Sequence, residues 1–497
     1  MSGPATTAPL AHNQLAEAVA GEVRRGRRFA ALVGSARDDG SAVLHVVLAG
    51  RGGLTTLVSE LAPGVRSYPA LTPVVPAAAW YEREIHDLLG LVPAGHGRLD
   101  PLVLPLIEGT PPPMPGARRG LESVELDREG LPAHVVGEGV FTIPYGPVRS
   151  GVFEAVEYLV ETVGEEIPHL RTRVYHKHRG IERRFQDLAP ADGVLLAERV
   201  EGTAAVAHAL AFSQALEEIA GVVVPTRGAL LRVAHAELER ITTHLDSVIR
   251  HTEGAGQAVA NARLSVHKER LMRLRARLCG HRFGRGVVVP GGTIGPPDLA
   301  PVAAIEEAAD LEDALRGDLH ALMATPSFLD RLRETGILSA EAVRVHGAIG
   351  PVGRGSGLRE DVRADRPYSA YGHLGFEVAT GHSEGDALAR QRVRLDEIGQ
   401  SFHLVRQALD ELVGEPEGPW RIEVPILDGS SVSSVEAPQG ELLYLVEIKD
   451  GRLARVKPRT ASFHNLALFH EAFQGDIFTD FVFIEASFGV SMAGVAG

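Results

Sequence analysis

The hydrophobic positions of this chain change period as it runs. Over residues 13–50, "NQLAEAVAGEVRRG" sets its apolar residues on one helical face, and "FAALVGSA" and "SAVLHVVLAG" are apolar runs of strand length on either side of the turn "RDDG". These predict a helix feeding a β-hairpin. From about residue 187 the period is helical for a long way. Its clearest stretch puts Leu230, Val233, Ala234, Leu238, Ile241, Leu245 and Val248 on one stripe, the pattern of a helix facing a bundle core. Further helices are predicted over 200–220, 258–280, 300–334 and 383–413, separated by segments such as "VVVPGGTIGPP" and "GAIGPVGRGSG". Strand character returns near 421–425 and 441–456, where "ELLYLVEIKDGRLARVKP" predicts a hairpin about "KDG". Between the two regimes "LIEGTPPPMPGARRG" is too rich in Pro and Gly for the interior of a helix or strand, and it marks a domain boundary.

At 497 residues the chain exceeds one ordinary core. The predicted class is α+β: a small N-terminal α/β domain over 1–105, a Pro/Gly-rich linker over 106–137, and a larger, mainly helical domain over 138–497 with a short peripheral β-sheet. A formal charge of −14 argues against a nucleic-acid surface. The single cysteine, Cys279, excludes a disulfide within the chain and any metal site built from cysteines alone, and it points to a cytoplasmic protein. No apolar run approaches the ~18–20 residues of a membrane span. "RRGRRFAALVG" reads as a helix end entering a strand, because its apolar run is too short for an export signal.

Chemistry enters with "ERVEGTAAVAH", residues 198–208. It sets Glu201 among small and apolar residues, where a carboxylate needs a partner, such as Arg199 or a histidine. His176 and His178 of "YHKHRGIE" could join His208 and Glu201 as metal ligands, although a structural role for that segment is the stronger reading. His235 and His244 are nine residues apart, on opposite faces of one helix, and cannot share a ligand. Glu182, Glu237 and Arg240 match charged positions of the group resembled below, which implies a buried ion-pair or proton-conducting network around its cavity, the structural network being the stronger reading. Arg354 in "GPVGRGSG" is no phosphate cradle, since GK[ST] is lacking. Cys279 reads as a small buried residue of a helix end. "HKERLMRLRARL" is a solvated helix face by default and a partner surface on the sharper reading.

Several segments together resemble one protein group. "WYEREIHDLLGL", with "GH" shortly after it, resembles the signature of the 30-kDa peripheral-arm subunit of respiratory complex I, over roughly the first 105 residues. "HKHRGIERRF", "HAELERITTHL", "VVVPGG", "GPVGRGSGLREDVRADRPYSAY" and "SVEAPQGELLYLV" resemble the neighbouring 49-kDa subunit, whose fold is that of the large subunit of nickel–iron hydrogenases, over about 140–494. A fusion of the two modules is typical of energy-converting hydrogenases of the formate hydrogenlyase kind.

The resemblance implies a metal centre held by two cysteine pairs, but motif alignment puts those four positions at Glu201, Ala204, Ser491 and Gly494, none of them a thiol. The complex I branch, which has also lost the thiols, uses the cavity for a quinone head, with a Tyr at the helix start and a His in a β-hairpin loop. Here Gly202 stands for the Tyr, and a shortened loop "GPVRSG", 146–151, offers Arg149 and Ser150 in place of the His. What the resemblance then implies is a peripheral-arm subunit of a membrane-bound, complex I-like or hydrogenase-related oxidoreductase, a component of a complex and not an autonomous enzyme. It would bind no cofactor of its own and would lie beside a small subunit that bears an iron–sulfur cluster. It would meet membrane-arm subunits at the inner face of the cell membrane and enclose an electron-transfer cavity, with quinone as candidate acceptor and Glu201, His208 and Arg149 as its first residues to test. The alternatives are a non-catalytic structural or coupling subunit, a working hydrogenase, which the missing thiols disfavour, and a free soluble enzyme.

Overall fold

The computed structural model describes residues 5–6, 9–104, 112–114, 139–149 and 154–497. The expected linker, 106–137, lies outside the described residues apart from 112–114. The class is α+β. At the N-terminus α1 (Leu15–Arg24) leads into an antiparallel meander of β1 (Arg28–Ala36), β2 (Ala42–Gly50) and β3 (Gly53–Leu61). The hairpin turns at "RDDG", as the pattern predicts. β3 extends it, since "GLTTLVSEL" also buries Leu57 and Leu61. On this sheet packs α2 (Ala79–Leu89), the "WYEREIHDLL" helix, whose acids staple their own surroundings. Glu82 accepts the amides of Leu71 at 2.6 Å and Thr72 at 3.0 Å, and Asp87 those of Leu102 at 2.7 Å and Val103 at 2.9 Å.

A second antiparallel sheet comprises β4 (Phe141–Tyr145), β5 (Glu157–Thr162) and β6 (His169–Arg173). Pairing between β4 and β5 sets Tyr145 opposite Tyr158, and of the expected loop, 146–151, residues 146–149 are described. Ser150 lies outside the described residues.

The helical body follows α3 (Ile181–Phe185) and α4 (Pro190–Ala197) with α5 (Ala205–Ala220), α6 (Thr226–Gly254), α7 (Ala258–Cys279), α8 (Pro301–Met323) and α9 (Ala387–Gly414). Every residue of the predicted α6 stripe is at most 1% exposed. Each large aliphatic side chain buried in this way contributes about 1.5–3 kcal/mol. Two expected helices are shorter than the pattern suggests. Residues 201–204 form a turn ahead of α5, and α8 stops at Met323 because Pro326 disfavours the helical region for Thr325, which is extended.

The expected strand at 421–425 is absent. Its backbone goes instead to the "PGG" turn, with the Ile422 amide donating to the Gly291 carbonyl at 3.1 Å. The C-terminal sheet is β7 (Gly429–Ala437), β8 (Gly440–Lys449) and β9 (Arg452–Arg459), in that order, with β8 and β9 joined at "KDG". α10 (Ala461–Leu466), α11 (Phe481–Phe488) and α12 (Met492–Ala496) close the chain.

β8 lies between two apolar cores. Leu442, Tyr444 and Val446 face the core of the helical body, whereas Leu443 and Leu445 face a second core shared by β1–β3, α2, α11 and α12. Arg28 of β1 joins the N-terminal module to the sheet through buried Glu441 at 2.6 Å.

Candidate functional site

The turn at 201–204 and the C-terminal segment 491–494 meet. A Cβ on Gly494 would stand 2.2 Å from Glu201 Oε2, so a side chain there would have to displace the carboxylate. Glu201 is 2% exposed. Its Oε1 is 3.2 Å from His208 Nε2, in the first turn of α5, and Oε2 is 3.5 Å from the Ser462 hydroxyl. His208 Nδ1 is in turn 2.6 Å from the Tyr444 hydroxyl of β8. With that hydroxyl donating to Nδ1, the Nε2 hydrogen donates to Glu201, and a single line of donors runs from phenol to carboxylate. Burial, and after it the Glu201 charge, push the phenol well above its usual range. Of the two partners the sequence offers Glu201, the structure supplies the histidine. Arg199 is half exposed and hydrogen-bonds the Leu195 carbonyl.

Several groups hold the two segments together. Arg179, the arginine of "HRGIE", donates to the carbonyls of Arg199 and Ala493 at 2.9 Å each and to that of Val200, while its own amide donates to the Gly497 carbonyl at 2.7 Å. Thr460 donates to the Gly494 carbonyl at 2.7 Å, and the Ser491 amide to Ser462 at 3.0 Å. Glu154, in the β4–β5 loop, accepts from the Ser491 hydroxyl at 3.1 Å and from the amides of Met492 and Ala493.

The remaining histidines do not converge. His178 Nδ1 donates to the Ala496 carbonyl at 2.6 Å, and His176 comes only within 4.0 Å of Glu157. Among the described residues no group of three His, Cys, Asp or Glu is disposed to hold a metal. A nickel–iron centre does not fit these residues either. The four positions carry a carboxylate, a methyl, a hydroxyl and a hydrogen, the Glu201 carboxylate fills the space beside Gly494, and soft metals of this kind are held by thiolates. Cys279 ends α7, donating weakly to the carbonyls of Arg275 and His281.

Arg149 is engaged elsewhere. Its guanidinium makes a two-pronged pair with Glu485 of α11, at 2.8 and 2.9 Å, and lies 5.2 and 5.4 Å from the rings of Tyr145 and Tyr158. It thus fixes the hairpin loop against α11 without joining Glu201 and His208. The other charged candidates fall into separate networks. Glu182 sits between Lys457 at 2.7 Å and Arg455 at 2.5 Å, and the same Lys457 reaches Glu84 of α2 at 2.6 Å. Glu237 takes Arg240 and Arg363 at 3.2 Å each and the Ser401 hydroxyl at 2.6 Å. Next to it Arg354 pairs with Glu397 at 2.6 Å and Glu436 at 3.0 Å, and His244 meets Glu397 at 2.7 Å. Against the penalty of burial, Arg354 and His244 hold Glu397 well below the usual carboxylate range.

Sequence reasoning missed Tyr444, Ser462, Thr460 and Glu154 at this site. Tyr444 sits in the resembling segment "SVEAPQGELLYLV" and Thr460 and Ser462 follow the hairpin that continues it, and only the folded register shows which of these polar groups turn inward.

The family described as respiratory-chain NADH dehydrogenase, 49 Kd subunit, matches residues 256–428 and 420–496, and that described as the 30 Kd subunit matches residues 14–112. The carbon monoxide-induced hydrogenase of Rhodospirillum rubrum is 33% identical over 332 residues, covering 65% of this chain and 90% of that protein. Formate hydrogenlyase subunit 5 of Escherichia coli K12 is 28% identical over 434 residues, 83% of this chain and 74% of its own. The mitochondrial NADH-ubiquinone oxidoreductase 49 kDa subunit of Neurospora crassa is 27% identical over 404 residues, 73% of this chain and 83% of its own. The chain belongs to the family of complex I 49-kDa subunits and hydrogenase large subunits, in the form that carries a 30-kDa-type module on the same polypeptide.

Proposed function

We propose that this chain is a peripheral-arm subunit of a membrane-bound, complex I-like or hydrogenase-related oxidoreductase complex, and that the place of the ancestral metal centre is taken by a protonatable group, Glu201–His208–Tyr444. In this reading electrons arrive from an iron–sulfur cluster on a small subunit. This chain supplies acid–base groups to the acceptor, and membrane-arm subunits hold the complex at the inner face of the cell membrane. A quinone is the acceptor class that calls for such groups, since its reduction takes up two protons with two electrons. The names of the relatives, a formate hydrogenlyase subunit and an NADH-ubiquinone oxidoreductase subunit, support membership of such an assembly. The observation that carries the reading is the 3.2 Å contact of Glu201 with His208 against Gly494, in the thiol-free meeting place of two turns. Among the described residues no helix is long and apolar enough to cross a membrane, so attachment would run through partners.

The close packing around Glu201 favours a second reading, a structural or coupling subunit that performs no chemistry of its own. Glu201→Gln in the assembled complex separates the two. The first reading expects turnover to fall about tenfold or more with assembly intact, as for loss of a proton-transfer group; full turnover would establish the second. Stoichiometric nickel in the purified complex would overturn both.

A further inference from the structure

Two groups of side chains hold the C-terminal segment against the Glu201 turn, and one face of α2 reaches both. Tyr81 and Glu84 stand three residues apart on α2, one above the other, and are 0% and 4% exposed. The Tyr81 hydroxyl is 2.7 Å from His464 Nδ1 of α10, and His464 Nε2 is 2.8 Å from the Gly347 carbonyl. In the neutral ring Nε2 therefore carries the hydrogen, and the phenol donates to Nδ1. α10 is the helix that brings Ser462 to the Ser491 amide and to Glu201, and its N-cap, Thr460, holds the Gly494 carbonyl. Phe463, beside His464, packs edge-on against the Tyr81 ring at 5.0 Å.

Glu84 reaches the other group. Its carboxylate takes Lys457 of β9 at 2.6 Å, and the same ammonium takes Glu182, in the first turn of α3, at 2.7 Å. Arg455 of β9 completes the set, reaching Glu182 at 2.5 Å and the Gly34 carbonyl of β1 at 3.1 Å. These four side chains, two of each charge, are at most 7% exposed, so removing one leaves a buried charge short of its partner. α3 begins after Gly180, which has the left-handed φ of +67°, and Arg179 stands just before it. Where Glu182 is held thus sets what the Arg179 guanidinium can reach, namely the carbonyls of Arg199, Val200 and Ala493. The Lys457 ammonium lies 5.5 Å from the centre of the Phe463 ring and joins the two routes.

We infer that Tyr81 and Glu84 are positioning residues through which the N-terminal module sets the grip on residues 491–497, one route running by His464 and α10, the other by Lys457, Glu182 and Arg179. Among the described residues neither makes a hydrogen bond or ion pair with the Glu201 turn or with 491–497, so each acts through others. The seating of α2 is then felt at the opposite end of the chain.

The test is hydrogen–deuterium exchange of the full-length chain, read by mass spectrometry on peptides covering 491–497, with α6 as internal reference. In Glu84→Gln and in Tyr81→Phe the 491–497 amides should exchange about five- to tenfold faster while α6 is unchanged, as for loss of one buried hydrogen bond. In an Arg179→Gln background, adding Glu84→Gln should change the exchange less than about twofold, because both lie on one route, whereas adding Tyr81→Phe should still multiply it. Faster exchange confined to α2 and its neighbours, an equal rise in α6, or effects of Glu84→Gln and Arg179→Gln that multiply would overturn the inference. If Glu84→Gln fails to fold, Tyr81→Phe, which removes a single oxygen, decides by the same peptides. Turnover enters none of these readings, so failure of the proposed chemistry leaves them standing, and their failure leaves that chemistry open to its own test.

Discussion

Gly494 and Glu201 show how much of the site rests on single atoms. Replacing Gly494 by Ala puts a methyl 2.2 Å from the Glu201 carboxylate and 2.9 Å from its Cδ, with Thr460 at 3.2 Å on the far side. The expected loss is about 1–3 kcal/mol of stability, measured as a lowered denaturation midpoint, and an unchanged midpoint would show that Glu201 can move aside. Part of this was legible before folding. A carboxylate in "ERVEGTAAVAH" needs a partner, and a histidine seven residues on is within reach of a turn followed by a helix. Tyr444 was not legible, because it comes to His208 across 236 residues, through sheet register that no local pattern specifies. Arg149 shows the same division. Its charge and its loop follow from the sequence, but its partner Glu485 is 336 residues away.

At the scale of elements, the "HKHRGIE" segment acts as a clamp, with Arg179 on two carbonyls of the turn after α4 and one of α12. Arg179→Gln should lower stability by about 1–3 kcal/mol, shifting the denaturant midpoint at constant slope. A change in slope would instead mean that the C-terminal segment detaches. The long helices were readable because their stripes are long and periodic. β7 was missed because "GSSVSSVEA" is rich in serine and reads as a loop. In the fold those serines have partners on α5: Ser433 donates to the Ala211 carbonyl at 2.6 Å, and Ser431 reaches Glu218. The residues 421–425 show the opposite error, since apolar alternation is not enough when the only backbone available to pair with is a tight turn.

For the molecule as a whole, the buried titratable groups set the pH range of stability. Burial pushes His45, His244 and His251 down to about 4 and His235 to about 3. These histidines stay neutral in the fold while the unfolded chain takes up protons, so stability falls as pH drops from about 6.5 towards 4. His251→Gln should therefore make the melting temperature fall less steeply between pH 6.5 and 4, and an unchanged slope would contradict the assignment. At this scale β8 separates the two cores by alternation alone, its even-numbered side chains from 442 to 446 turned to one and Leu443 and Leu445 to the other. Sliding that strand by a single position would hand His208 a leucine and drive a phenol into the opposite interior. The partition that seals two hydrophobic compartments and the hydroxyl that polarises an imidazole are thus fixed by one decision of strand alignment, and neither can drift while the other is kept.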